Sequence, residues 1–334
     1  MPPGHDLAQT VAALDDCADE ASLRTEIERA TAGLTRRPER TQAWSAVLRR
    51  AVAAGVRLVE PANWSWVVSG SVARGEAVPG SDVETMVILG DGIEDADKVE
   101  LLARAAQVHA LLERCGVSGD ANGVLASRPR FCRRQRSWAE GIERWASEPE
   151  RDRGVVMTGL MADAAAVSGP EDALRVSAVA AVSRHYAVRQ AMLQDATAVR
   201  ASVPSRLRVF VSAGDAVDVK RAVLDPVVKI ARWAALSVGS TALPTGERLT
   251  DGAAGGALDD DDAATLRECH QWLVRFRWQG RVADQQAGRA GGDVIVLGDL
   301  SPQDRAALRS VAREVSGVMR KMSYLSSISA FAEH

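Results

Sequence analysis

Two carboxylates two residues apart, Asp82 and Glu84, open the apolar run Val83-Glu84-Thr85-Met86-Val87-Ile88-Leu89, and this pairing restricts the chain more than any other feature. A run of that length, rich in β-branched residues, reads as a buried strand over Val83 to Leu89. Successive strand residues point to opposite faces, so Asp82 and Glu84 share one face while Val83 and Thr85 take the other. Two acids on one face repel each other unless a cation lies between them. Magnesium is the ordinary answer, because it takes carboxylate oxygens and keeps coordination positions open for phosphate. Upstream, a strand over Trp64 to Ser69 runs into Gly70-Ser71, a turn that opens a short helix. The backbone N–H groups and hydroxyl of such a turn suit a phosphate.

Around this core the chain divides into three stretches. Residues 1–58 carry apolar residues at helical spacing (Leu7, Val11, Leu14; Leu23, Ile27, Ala30, Leu34; Trp44, Val47, Leu48, Val52), interrupted near Arg37-Pro38. Residues 59–170 alternate strand and helix. A helix over Asp97 to Arg114 ends at Gly116 as its cap, a helix holds Trp138, Ile142 and Trp145, and the apolar run Val155 to Met161 reads as a further strand. In residues 171–334 strand signals nearly vanish. Long amphipathic segments cover about Leu174 to Val199, Asp215 to Val238, Asp261 to Gln286 and Pro302 to Phe331, a set that packs as an antiparallel bundle. The fold class is therefore α+β: a mixed sheet with helices, flanked by an N-terminal helical segment and a C-terminal helical bundle.

The 334 residues are enough for more than one core. A net charge of -3 supplies no general attraction for nucleic acid or anionic lipid, so any basic site is local. The strongest such site is Arg128-Pro129-Arg130-Phe131-Cys132-Arg133-Arg134-Gln135-Arg136, which reads either as a site for a triphosphate, a nucleic-acid end or an acidic protein face, or as a solvated basic loop. No apolar run approaches the roughly 20 residues of a membrane span. Four cysteines without metal-ligand spacing, and a start without a basic and apolar leader, point to reduced thiols and a cytoplasmic protein. The histidines do not cluster, so zinc is not expected.

The pattern Gly70-Ser71, then Asp82-Val83-Glu84, resembles the signature of the DNA polymerase beta superfamily of nucleotidyltransferases. Within it, Gly70-Ser71-Val72-Ala73-Arg74-Gly75-Glu76 and Ser81-Asp82 look like the branch that holds the PII uridylyltransferases and glutamine-synthetase adenylyltransferases. Asp218-Val219-Lys220-Arg221, Pro226 to Arg232, Arg275-Phe276-Arg277-Trp278-Gln279 and Leu300-Ser301-Pro302 resemble the members that carry a dedicated C-terminal substrate-binding domain.

The resemblance implies transfer of a nucleoside monophosphate, AMP or UMP, from a nucleoside triphosphate to a hydroxyl of a protein or small-molecule acceptor. The chemistry would use magnesium or manganese ions held by Asp82, Glu84 and a third acid, for which Asp163 is the candidate. Gly70, Ser71, Arg74 and Lys220 would bind the nucleotide. Two departures stand out: Glu84 where close relatives have aspartate, and Ala165 where an arginine would follow the third acid. They leave open a second reading, a catalytically inactive module that senses a nucleotide and has a regulatory role. Asp163 reads equally as a turn residue. Neither reading calls for nucleic acid or a membrane as partner.

Overall fold

The computed structural model describes residues 7–34, 40–59, 64–167, 172–204 and 215–332. In chain order, three helices come first: α1 (Leu7–Asp15), α2 (Glu20–Ala32) and α3 (Thr41–Val59). Asp19 caps α2 by accepting from the Ser22 N–H at 2.8 Å, while the Ser22 hydroxyl accepts from the Asp19 N–H at 3.2 Å, so two orphan donors of the helix start are satisfied reciprocally. The expected break at Arg37-Pro38 lies outside the described residues. Next come β1 (Ser65–Ser69), a one-turn α4 (Gly70–Ala73), β2 (Glu84–Leu89), α5 (Asp95–Arg114), β3 (Cys132–Arg134), α6 (Gln135–Ser147), α7 (Gly154–Ala162) and β4 (Ala165–Ala166).

The four strands form one mixed sheet in the order β3-β2-β1-β4, with β1 antiparallel to β2 and β4, and β2 parallel to β3. Register places Ser69 opposite Glu84 and Val68 opposite Thr85. That register brings the end of β1, where the Gly70 turn begins, beside the start of β2, where the acids stand. The sheet is buried on both faces: Trp66, Val68, Met86 and Val87 are all at 0 % exposure, which explains why β1 and β2 read as nearly continuous apolar runs. Trp138 of α6 donates its Nε1–H to the Val87 carbonyl at 2.9 Å, satisfying the polar edge of a ring buried against β2.

Three expectations need correction. Val155 to Met161 is helix α7, not a strand; its apolar residues show no period of two, and a run that is apolar throughout has the same appearance in either conformation. The strand follows Asp163 instead, as the two residues of β4. Asp82 precedes β2, which starts at Glu84, while Val83 makes a lone parallel bridge to Gly119. The α5 cap is Cys115, with Gly116 one residue beyond at φ +86°.

After β4 the chain continues through α8 (Ala173–Arg184), α9 (Tyr186–Thr197), β5 (Ala216–Asp218), a π-helical turn (Lys220–Leu224), α10 (Asp225–Ser237), α11 (Thr245–Ala254), α12 (Asp260–Gln286), β6 (Val294–Val296) and α13 (Pro302–Ala332). The expected helix over Leu174 to Val199 is thus two helices meeting at His185, and a two-stranded sheet with Val217 opposite Ile295 joins the bundle.

The chain forms two compact units. One comprises residues 1–143, 159–178 and 278–291; the other comprises 144–158, 179–277 and 292–334. The core of the second unit gathers Val223, Val227, Ile230, Leu249, Leu266, Leu308 and Val315. At its rim Arg277 grips Asp293 with both arms, at 2.8 and 3.0 Å, while the Val219 N–H donates to the Asp293 carbonyl. No helix among the described residues is long and apolar enough to cross a membrane.

Candidate active site

The turn after β1 exists because position 70 has no side chain. Gly70 sits at φ +65°, and a Cβ there would lie 2.8 Å from Glu84 Oε2 and 2.9 Å from its Cδ. The Glu84 carboxylate therefore rests directly on the glycine of the Gly-Ser turn, 14 residues away in sequence and adjacent through the Ser69–Glu84 register. Ser71 follows on α4, half-buried. The turn is braced from behind by Ser69, whose hydroxyl donates to the Leu160 carbonyl of α7 at 2.9 Å.

Four acids bear on this place. Burial pushes the Glu84 carboxyl up to about 7; Arg74 opposes that shift, and Asp163, Asp120 and Asp82 add to it. Asp82 is half-buried on the approach to β2. Asp120 was not singled out from the sequence. It is 5 % exposed and lies in a turn where its carboxylate accepts from the Val124 N–H at 2.8 Å and from Asn122 Nδ2 at 3.1 Å. Its sequence context, Gly119-Asp120-Ala121-Asn122-Gly123, carries a turn signal but nothing that points to the acids on β2.

Asp163 is brought to the site, but in company. At the end of α7 it is 1 % exposed, and Arg74 Nη1 donates to its Oδ2. The same guanidinium donates from Nε to Glu76 Oε2 at 2.8 Å. Burial alone pulls the Arg74 guanidinium down, but the Asp163, Glu76 and Glu84 carboxylates outweigh it and hold its pKa above the ordinary value. Arg74, which the sequence suggests for phosphate binding, is a fixed cation shared among acids. Ala165, not an arginine, stands two residues after Asp163, yet an arginine reaches the carboxylate from 89 residues upstream.

An all-oxygen donor set suits magnesium, and a magnesium site needs one or two carboxylates with water and phosphate completing the shell. Asp82 and Glu84 fit that description. Among the described residues no three His, Cys, Asp or Glu side chains are grouped to hold a metal, in keeping with the engagement of Asp163 by Arg74.

The remaining expected residues divide. Lys220 lies in the second unit, half-buried at the start of the π-helical turn after β5. Of the arginine-rich stretch, Arg133 lies over the Trp138 ring at 5.4 Å and Arg134 bonds the Ile93 carbonyl and Asp95 at 2.7 Å each, so these two cations are committed to the fold.

Two family models match the chain in succession. Residues 22–152 match "Putative nucleotidyltransferase DUF294", and residues 185–325 match "Putative nucleotidyltransferase substrate binding domain". No curated protein matches the sequence. The acids assembled around the Gly70 turn lie within or close to the first match and the helical bundle within the second, and the chain belongs to this family of nucleotidyltransferases with a C-terminal substrate-binding domain.

Proposed function

We propose that the protein transfers a nucleoside monophosphate, AMP or UMP, from its triphosphate to a hydroxyl of a protein or small-molecule acceptor, with a regulatory outcome. The observation that supports this most is the seating of the Glu84 carboxylate on Gly70, which gathers acid and phosphate-binding turn at one point. Asp82 and Glu84 would hold magnesium or manganese, which when bound supplies neutralisation of the triphosphate charge and a lowered pKa for a coordinated hydroxyl. Gly70 and Ser71 offer the phosphates their backbone N–H groups, and a side chain at position 70 would displace the Glu84 carboxylate beside them. Arg74 fixes Asp163, and Asp163 takes the proton of the attacking hydroxyl. Such a site works by positioning and charge, the terms that dominate phosphoryl transfer.

A second reading draws on Arg74. A guanidinium held by Asp163 and Glu76 already balances the acids without a metal, which suits a module that binds nucleotide and does not turn it over. Incubation with labelled triphosphates, magnesium or manganese, and a cell extract separates the two. Pyrophosphate release that falls by about 100-fold or more in Asp82→Asn supports transfer. Saturable nucleotide binding with no pyrophosphate from the wild-type protein leaves the binding module.

A further inference from the structure

In the second unit, the end of α9 with the residues just after it and the α13 stretch Met319 to Tyr324 border a cavity of about 220 Å³ lined by Thr197, Arg200, Met319, Arg320, Ser323 and Tyr324. Among the described residues neither Arg200 nor Arg320 has an ion-pair or hydrogen-bond partner, and both are exposed. Met319, 1 % exposed, forms the floor, and Tyr324 stands at the rim with 66 % of its surface open. The Thr197 hydroxyl donates to the Leu193 carbonyl at 2.8 Å, so the free donors of the cavity include two guanidiniums and a phenol.

The charge pattern of α13 extends this picture. At 100° per residue, Arg305, Arg309, Arg313, Arg320 and Tyr324 fall within about a 100° sector of the helix. The helix's acids lie elsewhere: Asp304 meets Ser301 at the N-terminus, and Glu314 on the opposite side approaches Ser310 and Cys269. Lys321, also outside the sector, pairs with Asp262 and Asp259. On α9, Asp195 is taken by Lys229 at 2.9 Å. Within the sector Arg309 reaches the Pro204 carbonyl at 3.3 Å, and the Arg305 Nε is buried without a hydrogen-bond partner. Arg305/Arg309 and Arg309/Arg313 stand at i, i+4, a spacing at which like charges destabilise a helix. A face that gathers four arginines, none of them bonded to a carboxylate among the described residues, favours an anion.

We infer that this cavity binds a small phosphate monoester carrying a flat apolar group, with Arg200 and Arg320 on the phosphate and the group lying on the Tyr324 ring. Paired guanidiniums match a phosphate dianion in geometry as well as charge. An exposed tyrosine beside a buried methionine supplies one face for a planar ring. The cavity volume suits one small ligand, where an extended polyanion would need the whole arginine sector instead. The site is independent of the Asp82–Glu84 reading and survives its failure.

Calorimetric titration of the full chain in EDTA, which silences any metal-dependent nucleotide site, tests the inference with phenyl phosphate and inorganic phosphate as probes. Saturable binding of phenyl phosphate at one site per chain is expected, weakened at least about tenfold in Arg200→Ala/Arg320→Ala. Tyr324→Ala weakens phenyl phosphate and leaves inorganic phosphate unchanged, while Arg313→Ala, outside the cavity, changes neither by more than about twofold. All four side chains are exposed, so these variants fold. Absence of saturable binding by the wild-type chain, or equal binding by the double variant, overturns the inference. So does tighter binding of a single-stranded oligonucleotide that Arg313→Ala weakens as much as Arg320→Ala, which would make the face a groove for an extended polyanion.

Discussion

The carboxylate of Glu84 and the backbone of Gly70 are in van der Waals contact, with no room between them for a single methyl group. This one contact ties the end of β1 to the start of β2. A Gly70→Ala substitution meets two costs at once: a left-handed backbone disfavoured by about 1–2 kcal/mol and a Cβ placed 2.8 Å from Glu84 Oε2. The carboxylate must move away from the turn. The expected result is a lowered urea midpoint together with loss of nucleotidyl transfer, whereas Ser71→Ala, at a position where a Cβ already exists, keeps the midpoint close to wild type. Equilibrium unfolding alongside pyrophosphate release measures both.

Arg74 and Asp163 form a pair whose side chains are 10 % and 2 % exposed. Breaking a pair that buried by removing one partner costs about 3–5 kcal/mol, because the other charge is left without compensation. Arg74→Gln takes the guanidinium from both Asp163 and Glu76 and is expected to lie in that range. Asp163→Asn is milder, since Glu76 still holds the guanidinium at 2.8 Å. In a double-mutant cycle by urea unfolding, the two changes should show a coupling of at least about 1 kcal/mol. Additive effects would mean that the pair does not act as one unit.

His109 gives a pH signature. Burial drives its pKa down to about 4, and the ring meets Thr85 Oγ1 at 3.1 Å and the Trp66 ring at 5.9 Å between centroids. Because Thr85 Oγ1 already accepts from the Ala126 N–H, its own proton is available to a neutral imidazole nitrogen. The folded pKa lies below the ordinary 6.5, so between about pH 6.5 and 4 the unfolded chain takes up a proton that the folded chain refuses. Stability then falls with falling pH across that window, by up to about 3 kcal/mol from this group. His109→Gln should flatten that part of the profile relative to wild type when unfolding is followed from pH 7.5 to 4.5. An unchanged slope would show that the imidazole is not held neutral.

In the second unit Gly252 marks the crossing of α10 and α11. A Cβ at 252 would fall 2.6 Å from the Ala234 Cβ, so the two helices approach as closely as their backbones allow. Gly252→Ala in this core is expected to cost about 1–3 kcal/mol through overpacking, despite the higher helix propensity of alanine. Gly246→Ala, on the same helix with open space around it, tests the propensity alone and should be neutral or stabilising.

Local pattern sufficed wherever neighbours in sequence decide the outcome. The helical spacing of α2 and α3 and the turn at Gly70-Ser71 depend on side chains within a few residues, and so does the apolar run of β2 with Glu84 at its head. Periodicity and turn chemistry are readable because they act over that range. The run Val155 to Met161 fails the same test: uniformly apolar, it carries neither period, and its burial among other elements made it a helix.

What required the tertiary structure is the company of each charge. Asp120 and Asp163 enter the site from a turn and a helix end that no spacing rule connects to β2, and Arg74 finds its partner 89 residues away. The amino-acid order by itself marked the apolar run of β2 with Glu84 at its head and the turn at Gly70, since an apolar run and the freedom of one glycine are local properties. Only the folded chain decided that Asp163 is answered by Arg74, because a buried charge takes whichever opposite charge the packing brings within reach, and that choice is made by every element at once.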